Sequence, residues 1–201
     1  MPRRYSMDIR HEETEARRRR LLDAAIEVLG EAGAERLTME AVAGRAGAAT
    51  RTLYNHFPSR DELIADALSR LLAEFRDAVD AQPPGQGEPA ERLRSFVRLL
   101  FDTYERQGTS LTTLLEHRDD PQIGAKITEQ RHHRRRQLQH ILRDAKADLL
   151  LPVPQAVALA FVMTNHATWK SLIEDSSMTQ PTAVALTTST LDAALFGHRP
   201  G

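Results

Sequence analysis

Apolar positions along this chain recur every three to four residues, and no stretch alternates β-branched and polar residues between turns, so the pattern predicts an all-α fold. A first helix is expected from about Thr14 to Ala32, with Leu22, Ala25, Ile26 and Leu29 on one stripe and Gly33 as a left-handed cap. A short helix capped by Thr38 then carries Val42 and Ala46, Gly47 breaks it, and a second short helix reaches Phe57. Ser59-Arg60-Asp61-Glu62 reads as a capping box. It opens a long helix striped by Leu63, Ala67, Leu71, Phe75 and Val79 and widened by Ile64, Leu68 and Leu72. Gln82 to Pro89 is the one clear loop. Beyond it, helices are expected at about 90–107, 110–118, 121–148, 153–175 and 181–196, with Pro121, Pro152, Pro154 and Pro181 supplying the breaks.

Leu37 to Leu63 reads LTMEAVAGRAGAATRTLYNHFPSRDEL. Two short helices joined by a tight glycine turn make a helix-turn-helix, whose second helix fits a DNA major groove about 12 Å wide. Thr50, Arg51, Thr52, Tyr54, Asn55 and His56 offer donors and acceptors from that helix, while Leu53 and Phe57 are spaced to anchor it inward. Charge supports this weakly. Residues 1–60 carry 11 Lys and Arg against 9 Asp and Glu, the remainder 16 against 19. Seven of the early cations are Arg3, Arg4, Arg10 and Arg17 to Arg20, a cluster that suits a phosphate backbone or a solvated helix face.

This stretch resembles the DNA-binding domain of the tetracycline-repressor (TetR) family over roughly residues 17–68. The likeness rests on LLDAAIEVLGEAG at 21–33, the Thr38 cap with Val42-Ala43 and Ala46-Gly47, TLYNHF at 52–57, and Ser59-Arg60-Asp61-Glu62-Leu63. It implies that Thr38, Ala49, Thr50, Arg51, Thr52, Tyr54, Asn55, His56 and Arg60 face double-stranded operator DNA. Thr38, Tyr54, His56 and Arg60 suit phosphate contacts, and Arg51, Thr52 and Asn55 suit base edges. The family commonly has Ser in place of Ala49 and Gly in place of Arg51. Ala49 cannot cap, so capping is expected to pass to Thr50 and move the helix start by one residue.

The resemblance divides the chain into an N-terminal arm and DNA-binding domain (1–60), a connecting helix (61–81) and a ligand-binding and dimerisation domain (82–201). It implies a homodimer through the last two helices, with Phe161, Thr168, Leu172, Val184, Leu191 and Leu195 lining the interface. An unknown small-molecule effector is expected among Phe101, Tyr104, Leu114, His117, His133, Met163, His166 and Trp169, which mix apolar walls with a few polar groups. The function expected is a transcription regulator, a repressor released from its operator by that effector.

Other chemistry finds little support. With no cysteine, disulfides and thiolate metal sites are excluded, and a reducing compartment, the cytoplasm, is expected. Residues 1–20 are too polar for a signal peptide, and no apolar run approaches the roughly 18 residues of a membrane span. His132, His133 and His140, with Glu129 and Asp144 one helical turn from two of them, supply only paired ligands. Arg131 and Arg134 to Arg136 beside them would repel a cation, so this reads as a wet basic face and no metal or other cofactor is expected. No catalytic motif occurs, and no enzyme is expected. A helical module whose basic N-terminus binds an acidic protein is the competing reading, and a helical enzyme the weakest.

Overall fold

The computed structural model describes residues 3–32, 36–80, 87–116, 118–119 and 121–197, with the side chains of 3–11, 75, 78, 79, 114, 122 and 123 outside the description. Gly33 and most of the expected 82–89 loop lie outside the described residues, as do the side chains of Phe75 and Val79. Among the described residues the secondary structure is helical, without strands: α1 (Arg3–Ala32), α2 (Met39–Arg45), α3 (Thr50–His56), α4 (Arg60–Asp80), α5 (Pro89–Glu116), α6 (Pro121–Asp144), α7 (Val153–Met163), α8 (His166–Lys170) with a π-helical turn at Ser171–Asp175, and α9 (Gln180–Phe196).

Proline punctuates as expected, occupying the first residue of α5 and α6 and the second of α7 and α9, where a missing N–H costs nothing. Three boundaries differ from expectation. α1 begins at Arg3, since no glycine or proline interrupts the run of good helix formers before Gly30. The 90–107 and 110–118 segments join into α5 across a kink at Gly108, whose φ of 47° and ψ of −134° leave the helical region. The single helix expected over 153–175 breaks at Thr164–Asn165. There the Asn165 side chain accepts from Thr168 N at 2.7 Å and starts α8 as its cap.

The chain forms two compact units, Met1–Leu71 with Gly108–Lys126, and Leu72–Gln107 with Ile127–Gly201. In the first, Leu21, Leu22, Ala25 and Leu29 of α1 bury with Val42, Ala43, Leu53, Phe57, Leu63, Ala67 and Leu68. Burying such side chains stabilises by about 1.5–3 kcal/mol each, which a seven-residue helix needs because it is marginal alone. Charges fasten the rim. Arg45 forks onto Glu31, with a 2.9 Å contact, and reaches Glu27 at 3.2 Å, tying α2 to α1. Arg18 pairs with Asp66 and lies 5.0 Å above the Phe57 ring, so this member of the basic run holds the fold together.

In the second unit Leu93, Phe96, Val97, Leu100 and Phe101 of α5 bury with Leu138 and Leu142 of α6, Val157 and Ala160 of α7, and Leu191 and Leu195 of α9. Arg92 pairs with Asp144 at 2.7 Å and Arg94 with Asp192 at 2.6 Å.

Gly44 and Gly47 isolate one physical effect, because an added methyl would meet nothing within 4 Å at either, while only Gly47 holds a left-handed φ, of 61°. Gly44→Ala, inside α2, should raise stability by about 0.5–1 kcal/mol through helix propensity. Gly47→Ala should lower it by about 1–2 kcal/mol through backbone strain. Urea unfolding of both variants checks this, and shifts of the same sign would contradict it.

Candidate nucleic-acid interface and aromatic cluster

α2 and α3 are set by short-range chemistry. The Thr38 hydroxyl accepts from Ala41 N at 3.1 Å at the start of α2, and at its end Ala48 N donates to Ala43 O at 2.9 Å around Gly47. α3 starts at Thr50 with Ala49 at the N-cap, and no side chain caps it. Capping does not pass to Thr50, because the backbone carbonyl of Ala49 takes Thr52 N at 2.8 Å and fixes the start there. On the other side of the interface Ser59 Oγ accepts from Glu62 N at 3.1 Å, one half of the expected capping box.

The two faces of α3 separate cleanly. Leu53 and Phe57 are buried, while Arg51, Asn55 and Tyr54, the last 47% exposed, point outward together with exposed Ala49. Thr50, Thr52 and His56 are half-buried at the edges, and exposed Thr38 marks the start of α2. Arg60 donates through Nε to Leu37 O at 2.7 Å, which locates its guanidinium beside the Thr38 cap. The structure thus brings seven of the nine expected DNA-facing residues onto or beside one short helix, leaves Thr38 at the start of α2, and ties Arg60 to the turn before it.

The expected effector residues scatter more. Phe101, Tyr104, His166 and Trp169 come together, with Tyr104 ring centroids 6.3 Å from Phe101, 5.3 Å from His166 in an edge-to-face pair, and 5.9 Å from Trp169. His133 sits apart with Nε2 3.0 Å from Asp80 Oδ1, and Met163 is half-buried at the end of α7. The side chain of Leu114 and all of His117 lie outside the described residues. Four polar partners of the cluster were missed by sequence reasoning. Tyr104 donates its hydroxyl to Thr164 O at 3.1 Å and accepts from Arg134 at 2.9 Å; Trp169 Nε1 donates to Gln180 at 2.8 Å, and Gln180 reaches Asp102 at 3.4 Å. Arg134 is therefore no part of a wet basic face, being buried against Tyr104 and Phe161, although Arg131, Arg135 and Arg136 are exposed as expected.

Burial pushes the Tyr104 hydroxyl up, opposed by the neighbouring Arg134 charge and hydrogen bond. Burial, with the Lys170 ammonium adding to it, holds the His166 imidazole down to about 4. Of the residues expected between protomers, Leu191 and Leu195 are sealed in the protomer core, Phe161 underlies Arg134, and Thr168, Leu172 and Val184 are half-buried. The large apolar side chains exposed on α7 and α9 are Val162, at 56%, and Leu186, at 41%.

Residues 21–67 match the family described as bacterial regulatory proteins, tetR family. The chain is 37% identical over 90 residues to the HTH-type transcriptional repressor KstR of Mycolicibacterium smegmatis, covering 45% of this chain and 44% of that protein. It thus spans less than half the length of that relative. To the HTH-type transcriptional regulator BetI of Serratia proteamaculans it is 25% identical over 195 residues, 92% of this chain and 95% of that one. A crystal structure of the transcriptional regulator FadR from Bacillus subtilis in complex with stearoyl-CoA superposes with a TM-score of 0.69 at 21% identity, over 90% of this chain and 98% of that chain. A TetR transcription regulator from Haloarcula marismortui superposes at 0.75 with 18% identity, over 90% and 99%. At these identities the structural likeness shows the shared fold.

The pH dependence of stability follows from His166. Its imidazole is neutral in the fold and takes a proton more readily once unfolded, so stability present above about pH 6.5 falls as pH drops toward about 4. Urea midpoints across that range should fall less for His166→Gln than for the parent chain. Identical acid slopes would show that His166 is solvated.

Proposed function

We infer that this chain, which belongs to the tetR family of bacterial regulatory proteins, is a homodimeric transcription repressor that grips double-stranded operator DNA with α3 and releases it when a small molecule binds the second unit. The observation that carries this reading is the division of α3, with two anchors buried and Arg51, Tyr54 and Asn55 turned out. A short helix held so firmly by one side has little reason to expose a phenol, a guanidinium and an amide together unless a polar partner meets them. Operator binding places its work in the bacterial cytoplasm. The repressor name of KstR supports repression, and the acyl thioester in the FadR complex supports a small-molecule effector.

Arg51 lies in the first turn of α3, where a guanidinium can fork onto guanine, while Tyr54 lies further along, where a phenol reaches phosphate. Arg51→Ala should cost about 1–3 kcal/mol on the preferred operator and much less on a site altered at the contacted base pair. Tyr54→Phe should cost about 1 kcal/mol on every sequence alike. Binding isotherms at fixed salt separate the two, and equal losses for Arg51→Ala on both sites would reassign base reading to other residues.

Dimerisation is assigned to the outer faces of α7 and α9, which carry exposed Val162 and Leu186. Leu186→Asp should yield a folded monomer by light scattering at micromolar concentration, with weakened operator binding because one half-site remains. Leu191→Asp, inside the protomer core, should unfold the chain instead. A Leu186→Asp variant that stays dimeric would remove this face from the interface.

A further inference from the structure

Arg134 is 7% exposed, and among the described residues no carboxylate lies within ion-pairing distance of it. Its hydrogen bonds go to the Tyr104 hydroxyl at 2.9 Å, Thr164 O at 3.2 Å and, at 3.5 Å, Phe161 O. Its Nε is buried without a hydrogen-bond partner among the described residues. A guanidinium stripped of water and left without a counter-charge is costly, and such groups are ordinarily paired. The two carbonyls belong to the C-terminal end of α7, whose dipole is equivalent to roughly half a negative charge. That offsets part of the cationic charge and leaves the Nε–H unmet.

The surroundings specify what completes the site. Phe161 lies under Arg134 with ring centroid 4.2 Å from its guanidinium carbon, and the exposed Arg131 and Arg135 flank the same ring at 6.0 and 5.5 Å. Three cations around one apolar ring attract an anion and repel a cation. Arg134 also bonds the Tyr104 hydroxyl, and the Tyr104 ring leads to those of His166 and Trp169. The backbone here leaves the regular α-helix twice, with α7 ending at Thr164, Asn165 extended and a π-helical turn at Ser171–Asp175.

We propose that this cluster is the effector site and that its ligand is an organic acid, whose carboxylate pairs with Arg134 and whose apolar or aromatic body lies against Tyr104, His166 and Trp169. The assignment rests on the effector-released repressor reading above and adds the ligand's charge to it. A carboxylate supplies acceptors to the guanidinium in the geometry that arginine matches best. Neutral His166 adds an aromatic, hydrogen-bonding wall without a competing charge.

Trp169 is the chain's single tryptophan and reports on the cluster directly. The full chain is titrated with 3-phenylpropionate and benzoate, and with the neutral amide of each, reading Trp169 emission and thermal midpoint. The acids should shift both saturably, and the amides should need about tenfold more compound, the worth of one charged hydrogen-bond pair. Arg134→Met should fold and bind acid and amide alike. Arg134→Lys, which keeps the charge without the fork, should retain a reduced preference for acid and serves if the Met variant does not fold. Equal action of acid and amide on the parent chain, no effect of either acid, or an undiminished preference in either variant would overturn the proposal. Operator binding is followed in the same titrations. Acid binding at Trp169 that leaves the operator bound would support this site and sink the effector-release reading. Release by acid with Trp169 unmoved would sink this site and leave that reading standing.

Discussion

The burial of Leu53 and Phe57 is the contact on which the surface proposed to meet DNA depends. α3 has seven residues, too few to hold helical form alone, so its conformation is borrowed from the core that α1, α2 and α4 provide. Arg18 over Phe57 and Arg45 on Glu31 reinforce that core from its rim. Once the two anchors are fixed, the helical repeat decides the rest: Arg51, Tyr54 and Asn55 must point outward. The left-handed Gly47 sets the approach of α3 to α2, and Ala49 starts it through its backbone alone.

The second unit follows a different rule, placing polar atoms inside an apolar core. Tyr104, Arg134 and Thr164 form one set of hydrogen bonds and Trp169 with Gln180 another, and the Arg134 Nε has no partner among the described residues. Partly satisfied polar groups in a low-dielectric interior carry a cost that a fully apolar core avoids.

Much of this was legible in the sequence where chemistry is local. The Thr38 and Ser59 caps, the proline starts, the apolar stripe of α1 and that of α4 as far as Leu71 depend on neighbours within one or two turns, and they stand where the pattern places them. What escaped depends on distant partners. Arg134 sits in a run of arginines that periodicity reads as solvated, and its burial is decided by Tyr104, thirty residues away, and by the end of α7. The break after α7 was hidden because Asn165, unlike proline, ends a helix only when its side chain turns back to cap the next one. On α9 both faces are apolar enough that the pattern could not tell inward Leu191 and Leu195 from outward Leu186; burial in the core of the second unit decides it.

The central claim is that α3 reads a base sequence, as one of two copies in a dimer. Selection of bound fragments from random duplex DNA tests it most directly. The account predicts enrichment of one motif with two-fold related half-sites, the symmetry of the dimer carried onto the operator. Fragments retained in proportion to length and salt, with no enriched base pairs, would mean that the exposed residues of α3 touch only backbone and would contradict it.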